Sequence, residues 1–138
     1  MSACIFCEIV AGRQPSYRVL EDEHTVAFLN IRPVTPGHTL VVPREHSRDL
    51  WQISEAAHSH VAAMVHRVAA LLKSALAPDG MNVKHNTGPA AGQDVFHFHT
   101  HVVPRWNDDG RNLAWHTRRA SSEQLEAIHE QISALTGQ

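Results

Sequence analysis

The sequence is poor in the features that announce several large classes of protein. It carries no excess of positive charge: 12 Lys and Arg stand against 14 Asp and Glu, a formal net charge of −2. No long run of like charge occurs, so the basic stripe that a nucleic-acid backbone demands is missing and no nucleic-acid partner is expected. No apolar stretch approaches the roughly 18 residues of a membrane span, and Met1-Ser2-Ala3-Cys4 leads into no long apolar run; neither a span nor a leader is expected. Neither glycine-rich phosphate loop, G-x-x-x-x-G-K-[ST] or G-x-G-x-x-G, is present, nor is the zinc-protease motif H-E-x-x-H. No organic cofactor is implied. Cysteine is scarce as well. Cys4 and Cys7 are the two in the chain, too few and too close for a disulfide framework, which points to a reducing cytoplasm with both thiols free to act as ligands.

What remains is ordinary globular composition over 138 residues, 43% hydrophobic and 19% charged. That suffices for one domain, residues 1–138, with a buried core. One residue type is out of proportion: there are 12 histidines. Histidine is a common metal ligand and a general acid, base or nucleophile near neutral pH. His58, His60, His66 and His129 fall in helical stretches and read as surface or packing residues.

The hydrophobic pattern predicts an α+β domain. Residues 17–30 read as two short strands around the charged turn Glu21-Asp22-Glu23, and His38 to Pro43 as a third. Pro33 and Pro36 make Arg32 to Gly37 a loop. Over residues 54–77, Val61, Met64, Val65, Val68, Leu71, Leu72, Ala75 and Leu76 recur at steps of three and four, one face of a long helix. Ser54 is its N-cap and Pro78-Asp79-Gly80 its stop. Met81 to Asn86 fits a strand, Thr87 to Gly92 a turn, and Val95 to Val103 a further strand. A C-terminal helix begins at Ser121, which with Gln124 fits a capping box; Leu125, Ile128, Ile132 and Leu135 form its expected buried stripe. The sum is an antiparallel sheet of about five strands with helices on it.

The segment Val95-Phe96-His97-Phe98-His99-Thr100-His101-Val102-Val103 carries the chemistry. Strand side chains alternate, so His97, His99 and His101 share one face with rings ~7 Å apart, while Phe96, Phe98 and Val102 face the core. Three imidazoles in a row are costly without a role, since each needs a partner if buried. Two roles suit them, metal ligation and nucleophilic catalysis with supporting imidazoles. Cys4-x-x-Cys7 alone fits either a redox pair or half of a zinc site, though no βαβ pattern follows it.

His97-Phe98-His99-Thr100-His101-Val102-Val103 resembles the signature of the histidine-triad (HIT) superfamily, His-φ-His-φ-His-φ-φ with φ apolar. The resemblance extends to Cys4-Ile5-Phe6-Cys7-Glu8-Ile9, Asn30-Ile31-Arg32-Pro33, Pro36-Gly37-His38-Thr39-Leu40-Val41-Val42-Pro43, Gly92-Gln93-Asp94-Val95-Phe96 and Pro104-Arg105. Thr100 departs from the pattern, but a β-branched residue suits a strand.

The resemblance implies a dimeric HIT-like fold. It implies a nucleotide hydrolase or nucleotidyl transferase acting at the α-phosphate of nucleoside phosphoramidates or dinucleoside polyphosphates, with a purine nucleotide or nucleotide conjugate as partner. His99 would be the nucleophile, and His101 and His38 would hold the phosphate oxygens as protonated rings. Gln93 would stand near the scissile bridge, Asn86 near the phosphates and Asn30 at the ribose, with Phe28 and Ile31 at the base. Asp94 would bear on the leaving group. Cys4, Cys7, His46 and His97 would hold a structural zinc, and Mg2+ could accompany a polyphosphate. Two rival readings stand beside this one. In one, the three strand histidines ligate a catalytic zinc whose bound water attacks; in the other, the chain is a nucleotide-binding interaction module with incidental activity.

Overall fold

The computed structural model describes residues 4–111 and 118–136; Met1–Ala3, read above for a leader, lie outside them. β1 (Arg18–Glu21), β2 (Thr25–Leu29), β3 (Thr39–Pro43), β4 (Gly80–His85) and β5 (Thr100–Arg105) form one sheet, in the order β1-β2-β3-β5-β4. Every neighbouring pair is antiparallel. α1 (Ile5–Val10) precedes the sheet, α2 (Glu55–Leu76) connects β3 to β4, and α3 (Ser122–Thr136) follows β5.

The strands separate their residues by parity. Ala27, Val41, Phe98 and Val102 pack with Val61, Met64, Val68 and Leu72 of α2. Val26, Phe28, Leu40 and Val42 point to the opposite face, against Phe6 and Ile9 of α1. α2 forms where its apolar period predicts. Ser54 Oγ accepts from Ala57 N at 3.1 Å, which satisfies one of the free donors at the helix start. In the loop before β3, Gly37 has φ +90° and its backbone lies so close to the end of α2 that a Cβ would meet Leu76 Cδ1 at 2.5 Å. Only glycine fits there.

The structure differs from the sequence expectation in three places. α1 is an element that periodicity does not reveal, because six residues are too few to show a helical repeat. The strand expected at Val95 begins only at Thr100. β4 has ended at His85, opposite Thr100, and the main chain before Thr100 turns to other partners, Phe98 N donating to Ser47 O at 2.6 Å. Phe96 is therefore not core: it is exposed, with the Arg48 guanidinium 5.3 Å from its ring centre. The third difference concerns α3. Its capping box is present, Ser121 N donating to Gln124 Oε1 at 2.8 Å and Gln124 N to Ser121 Oγ at 3.2 Å. Yet Leu125, Ile128, Ile132 and Leu135 are exposed. Amphipathic spacing shows that a face seeks cover and not where the cover comes from.

Candidate active site and metal corner

A cleft of about 230 Å³ opens on the α1 face of the sheet. Phe6, Phe28 and Leu40 line its floor, Asn30, Ile31 and Asp94 its rim, and His99 and His101 also face it. Phe6 braces the rings from the side, its centroid 5.2 Å from His99 and 5.5 Å from Phe28, both edge-on.

The hydrogen bonds assign a tautomer to each imidazole. Val34 N donates to His38 Nδ1 at 3.0 Å, so His38 carries its proton on Nε2. That nitrogen lies 2.9 Å from His101 Nδ1 and donates to it, which leaves the His101 proton on Nε2. Both nitrogens of His38 are thus consumed, and the ring is buried. So bonded, His38 has no free nitrogen for the phosphate oxygen that the sequence reading gave it, and its contact orients His101. Nor are these rings cations: burial pushes His38 down and His101 down to about 4. His101 acts as a neutral donor because desolvation disfavours its charged form.

His99 is different. Its Nδ1 donates to His97 O at 2.8 Å, so Nε2 bears a lone pair and no proton. Nε2 stands 3.7 Å from Asp94 Oδ1. Burial pushes the His99 pKa down, opposed by the His97 carbonyl and Asp94. A neutral imidazole with a free Nε2 at a cleft is a competent nucleophile near pH 7.

His97 turns away from the cleft. Its Nε2 donates to Pro43 O at 2.9 Å. Its Nδ1 lies 3.4 Å from Cys4 Sγ, 3.5 Å from Cys7 Sγ and 3.2 Å from His46 Nδ1. His46 Nδ1 is also 3.3 Å from Cys7 Sγ. Cys4, Cys7, His46 and His97 form a group that could hold a metal, with all four ligand atoms within 4.8 Å of one another. The spacing fits zinc. Bond lengths of about 2.3 Å to sulfur and 2.0 Å to nitrogen give a tetrahedron with edges of about 3.5 Å from S to N and 3.3 Å from N to N. The Pro43 carbonyl also fixes the tautomer that frees Nδ1, the usual outer support of a ligating histidine. Burial pushes His97 down to about 4, keeping it a neutral ligand, and pushes the Cys7 thiol up to about 11. That thiol must lose its proton to bind a metal. His97 is the only triad histidine in this group, and the three triad histidines form no ligand group of their own among the described residues. The catalytic-zinc reading therefore lacks its site.

The HIT domain family matches residues 11–108. The chain belongs to the HIT family. A HIT relative, the adenosine 5'-monophosphoramidase hnt1 of Schizosaccharomyces pombe, is 35% identical over 96% of this chain and 97% of its own. The solved structure of a HIT family member from Bacillus subtilis is 38% identical, covers 96% of both chains and superposes with a TM-score of 0.88. A Zn-bound histidine triad protein from Mycobacterium smegmatis is 41% identical, with 96% of this chain and 97% of that one covered and a TM-score of 0.77. The antiparallel sheet and its helices are the HIT fold.

Within that HIT fold, several residues singled out from sequence take other places. Gln93 is buried and fully engaged with main chain: Oε1 accepts from Gly88 N at 2.7 Å, and Nε2 donates to Arg48 O and Val95 O at 2.7 and 3.0 Å. It staples the loop before the triad and does not line the cleft. Asn86 likewise braces that loop: with its amide oriented so that the nitrogen donates, Ala91 O and His85 O each accept at 3.3 Å, and it does not line the cleft. Asn30 stands at the rim, its Oδ1 accepting from Arg32 N at 2.8 Å. Ile31 is exposed at the rim and Phe28 is a buried wall. Two residues escaped the sequence reading, Phe6 and His85. Phe6 belongs to the undetected α1. His85 is the last residue of an otherwise unremarked strand, and only the end of the β4–β5 ladder at Thr100 brings its ring to the triad.

Proposed function

We propose that this HIT protein is a nucleotide hydrolase or nucleotidyl transferase that cleaves at the α-phosphate of nucleoside phosphoramidates or dinucleoside polyphosphates through a covalent nucleotidyl-His99. One observation carries the reading. Of the three triad rings, only His99 presents an unprotonated, unclaimed nitrogen to the cleft; His97 is spent in the metal corner, and His101 carries a proton on its outward nitrogen.

In the first step Nε2 of His99 attacks phosphorus, and the bond to the leaving amine or phosphate breaks, its electron pair departing with the leaving group while an amine takes up a proton from solvent. The ring becomes cationic, and Nδ1–H donating to the His97 carbonyl stabilises that charge. His101 Nε2–H donates to a phosphate oxygen, held in line by His38. In the second step water attacks the same phosphorus, a nucleoside monophosphate departs and Nε2 regains its lone pair. Phe28 and Ile31 would flank a purine and Asn30 the ribose. Asp94, beside the attacking nitrogen, disfavours an anionic tail, so it bears on the choice of leaving group. Mg2+, where involved, would arrive with a polyphosphate substrate.

The corner of Cys4, Cys7, His46 and His97 would hold a structural zinc, which supplies no chemistry in the cleft and ties α1 beside it. Thiols kept as ligands suit the cytoplasm, and no helix among the described residues is long and apolar enough to cross a membrane. We assign a homodimer as well: β4 is a sheet edge, its Val83 is exposed, and so is the apolar stripe of α3.

Intact-protein mass after brief mixing with adenosine 5'-phosphoramidate, and separately with a diadenosine polyphosphate, tests the mechanism, with a mild cold quench because phosphohistidine bonds are acid-labile. An adenylyl adduct on wild type, absent from His99→Ala, is expected. Tight nucleotide binding without product from either compound would instead make the chain a binding module.

A further inference from the structure

We infer that His85 is a positioning residue for the nucleophile: its imidazole holds the main-chain carbonyl of His99 and thereby fixes where the His99 ring stands. The inference takes the identity of the nucleophile from the functional reading above.

The β4–β5 ladder ends at the pair His85 and Thr100. His99 is one residue beyond it, so its carbonyl has no ladder partner on the β4 side. The His85 side chain takes that place, with Nδ1 2.9 Å from His99 O. A carbonyl can only accept, so Nδ1 carries a proton. Nε2 lies 2.5 Å from Thr87 Oγ1, and that oxygen accepts from Leu50 N at 3.0 Å. The ring itself lies on Phe98, centroids 4.2 Å apart and planes 26° from parallel. Stacking, the Thr87 contact and the His99 carbonyl together hold the imidazole on three sides.

The effect on His99 follows from what else holds it. Its Nδ1 is tied to His97 O. The carbonyl on the other side of its Cα is tied to His85. The residue sits outside regular structure, yet both ends of its side-chain lever are fixed. Reacting groups misplaced by about 1 Å can cost up to a hundredfold in rate, so a nucleophile outside a ladder needs such a substitute.

The chemistry of substitution separates this role from simple filling of space. Phenylalanine keeps the stack and the volume but has no donor. Asparagine loses the stack but can place its amide nitrogen where Nδ1 stands. With adenosine 5'-phosphoramidate as probe, His85→Phe should lower kcat about tenfold or more with KM within about twofold. His85→Asn should recover most of that loss. Thr87→Val, which removes only the outer anchor of the ring, should lower kcat severalfold. Should the phenylalanine variant not fold, the other two decide. The inference is overturned if His85→Phe keeps kcat within about twofold of wild type, or if His85→Asn falls at least as far as the phenylalanine variant.

15N NMR of the His99 ring reads the same point without turnover. Wild type and His85→Asn should give one sharp set of His99 ring signals, and His85→Phe signals that are shifted or broadened by exchange between ring positions. Unchanged His99 ring signals in the phenylalanine variant overturn the inference. A wild-type protein that turns over neither probe breaks the functional reading alone, and the NMR comparison still decides the role of His85.

Discussion

His97 and His99 are two residues apart, on one face of one segment, and the fold makes them opposites. His97 gives one nitrogen to a main-chain carbonyl and the other to a corner of sulfur and imidazole. His99 gives one nitrogen to a main-chain carbonyl and keeps the other for the cleft. Burial pushes both below the ordinary imidazole pKa, so neither charge nor exposure separates them. What separates them is which ring nitrogen the backbone claims and what stands before the one left over.

The sharpest way to break this contrast is to remove each ring in turn. His99→Ala should lower turnover by at least about a thousandfold, since of the three triad rings only His99 turns an unprotonated, unclaimed nitrogen to the cleft, with thermal unfolding little changed. His97→Ala should do the reverse. It should abolish metal content by elemental analysis and lower Tm markedly, while any protein that stays folded still forms the His99 adduct. Equal kinetic damage from both would mean that the division of roles is wrong.

Acid supplies a gentler test. Desolvation in the half-buried His101 site pushes its pKa down to about 4, whereas in the unfolded chain the ring takes a proton near 6.5. Between those values the unfolded state binds more protons, so stability should fall as pH drops from about 6.5 through 4. The slope of Tm against pH should be shallower in His101→Gln; an unchanged slope would show that this ring does not carry the effect. The smallest effect belongs to Asp94→Asn. Removing the charge beside Nε2 should raise kcat/KM for a diadenosine polyphosphate relative to adenosine 5'-phosphoramidate by about threefold to tenfold at low ionic strength, and a fixed ratio would free Asp94 of any part in selecting the leaving group.

Much of this was legible in the chain. The alternation of His97, His99 and His101 places them on one face even though the first two precede the strand, and Phe6 meets the rings of both His97 and His99 edge-on. Ser54 and Ser121 mark their helix starts, since capping is local chemistry. What the chain does not reveal is where main-chain partners arrive. Whether Gln93 faces a substrate or three main-chain groups depends on where Arg48 and Gly88 arrive. His38 reads as a phosphate ligand until Val34 N is found on its Nδ1. The stripe of α3 has the same period as that of α2, and only the packed chain shows that one is covered and the other exposed.

The metal corner also has a meaning in the language of polymers. Cys4 and His97 are 93 positions apart, so four bonds to a single ion would turn most of the chain into a ring. Closing a ring of that length in a random coil costs about 4–5 kcal/mol of entropy on the scale used for cross-links. The folded chain has already met that cost, so the ion finds the ends together. The stability that the ion adds to the fold is then set by its affinity for the folded corner, so a titration of that added stability would measure the affinity.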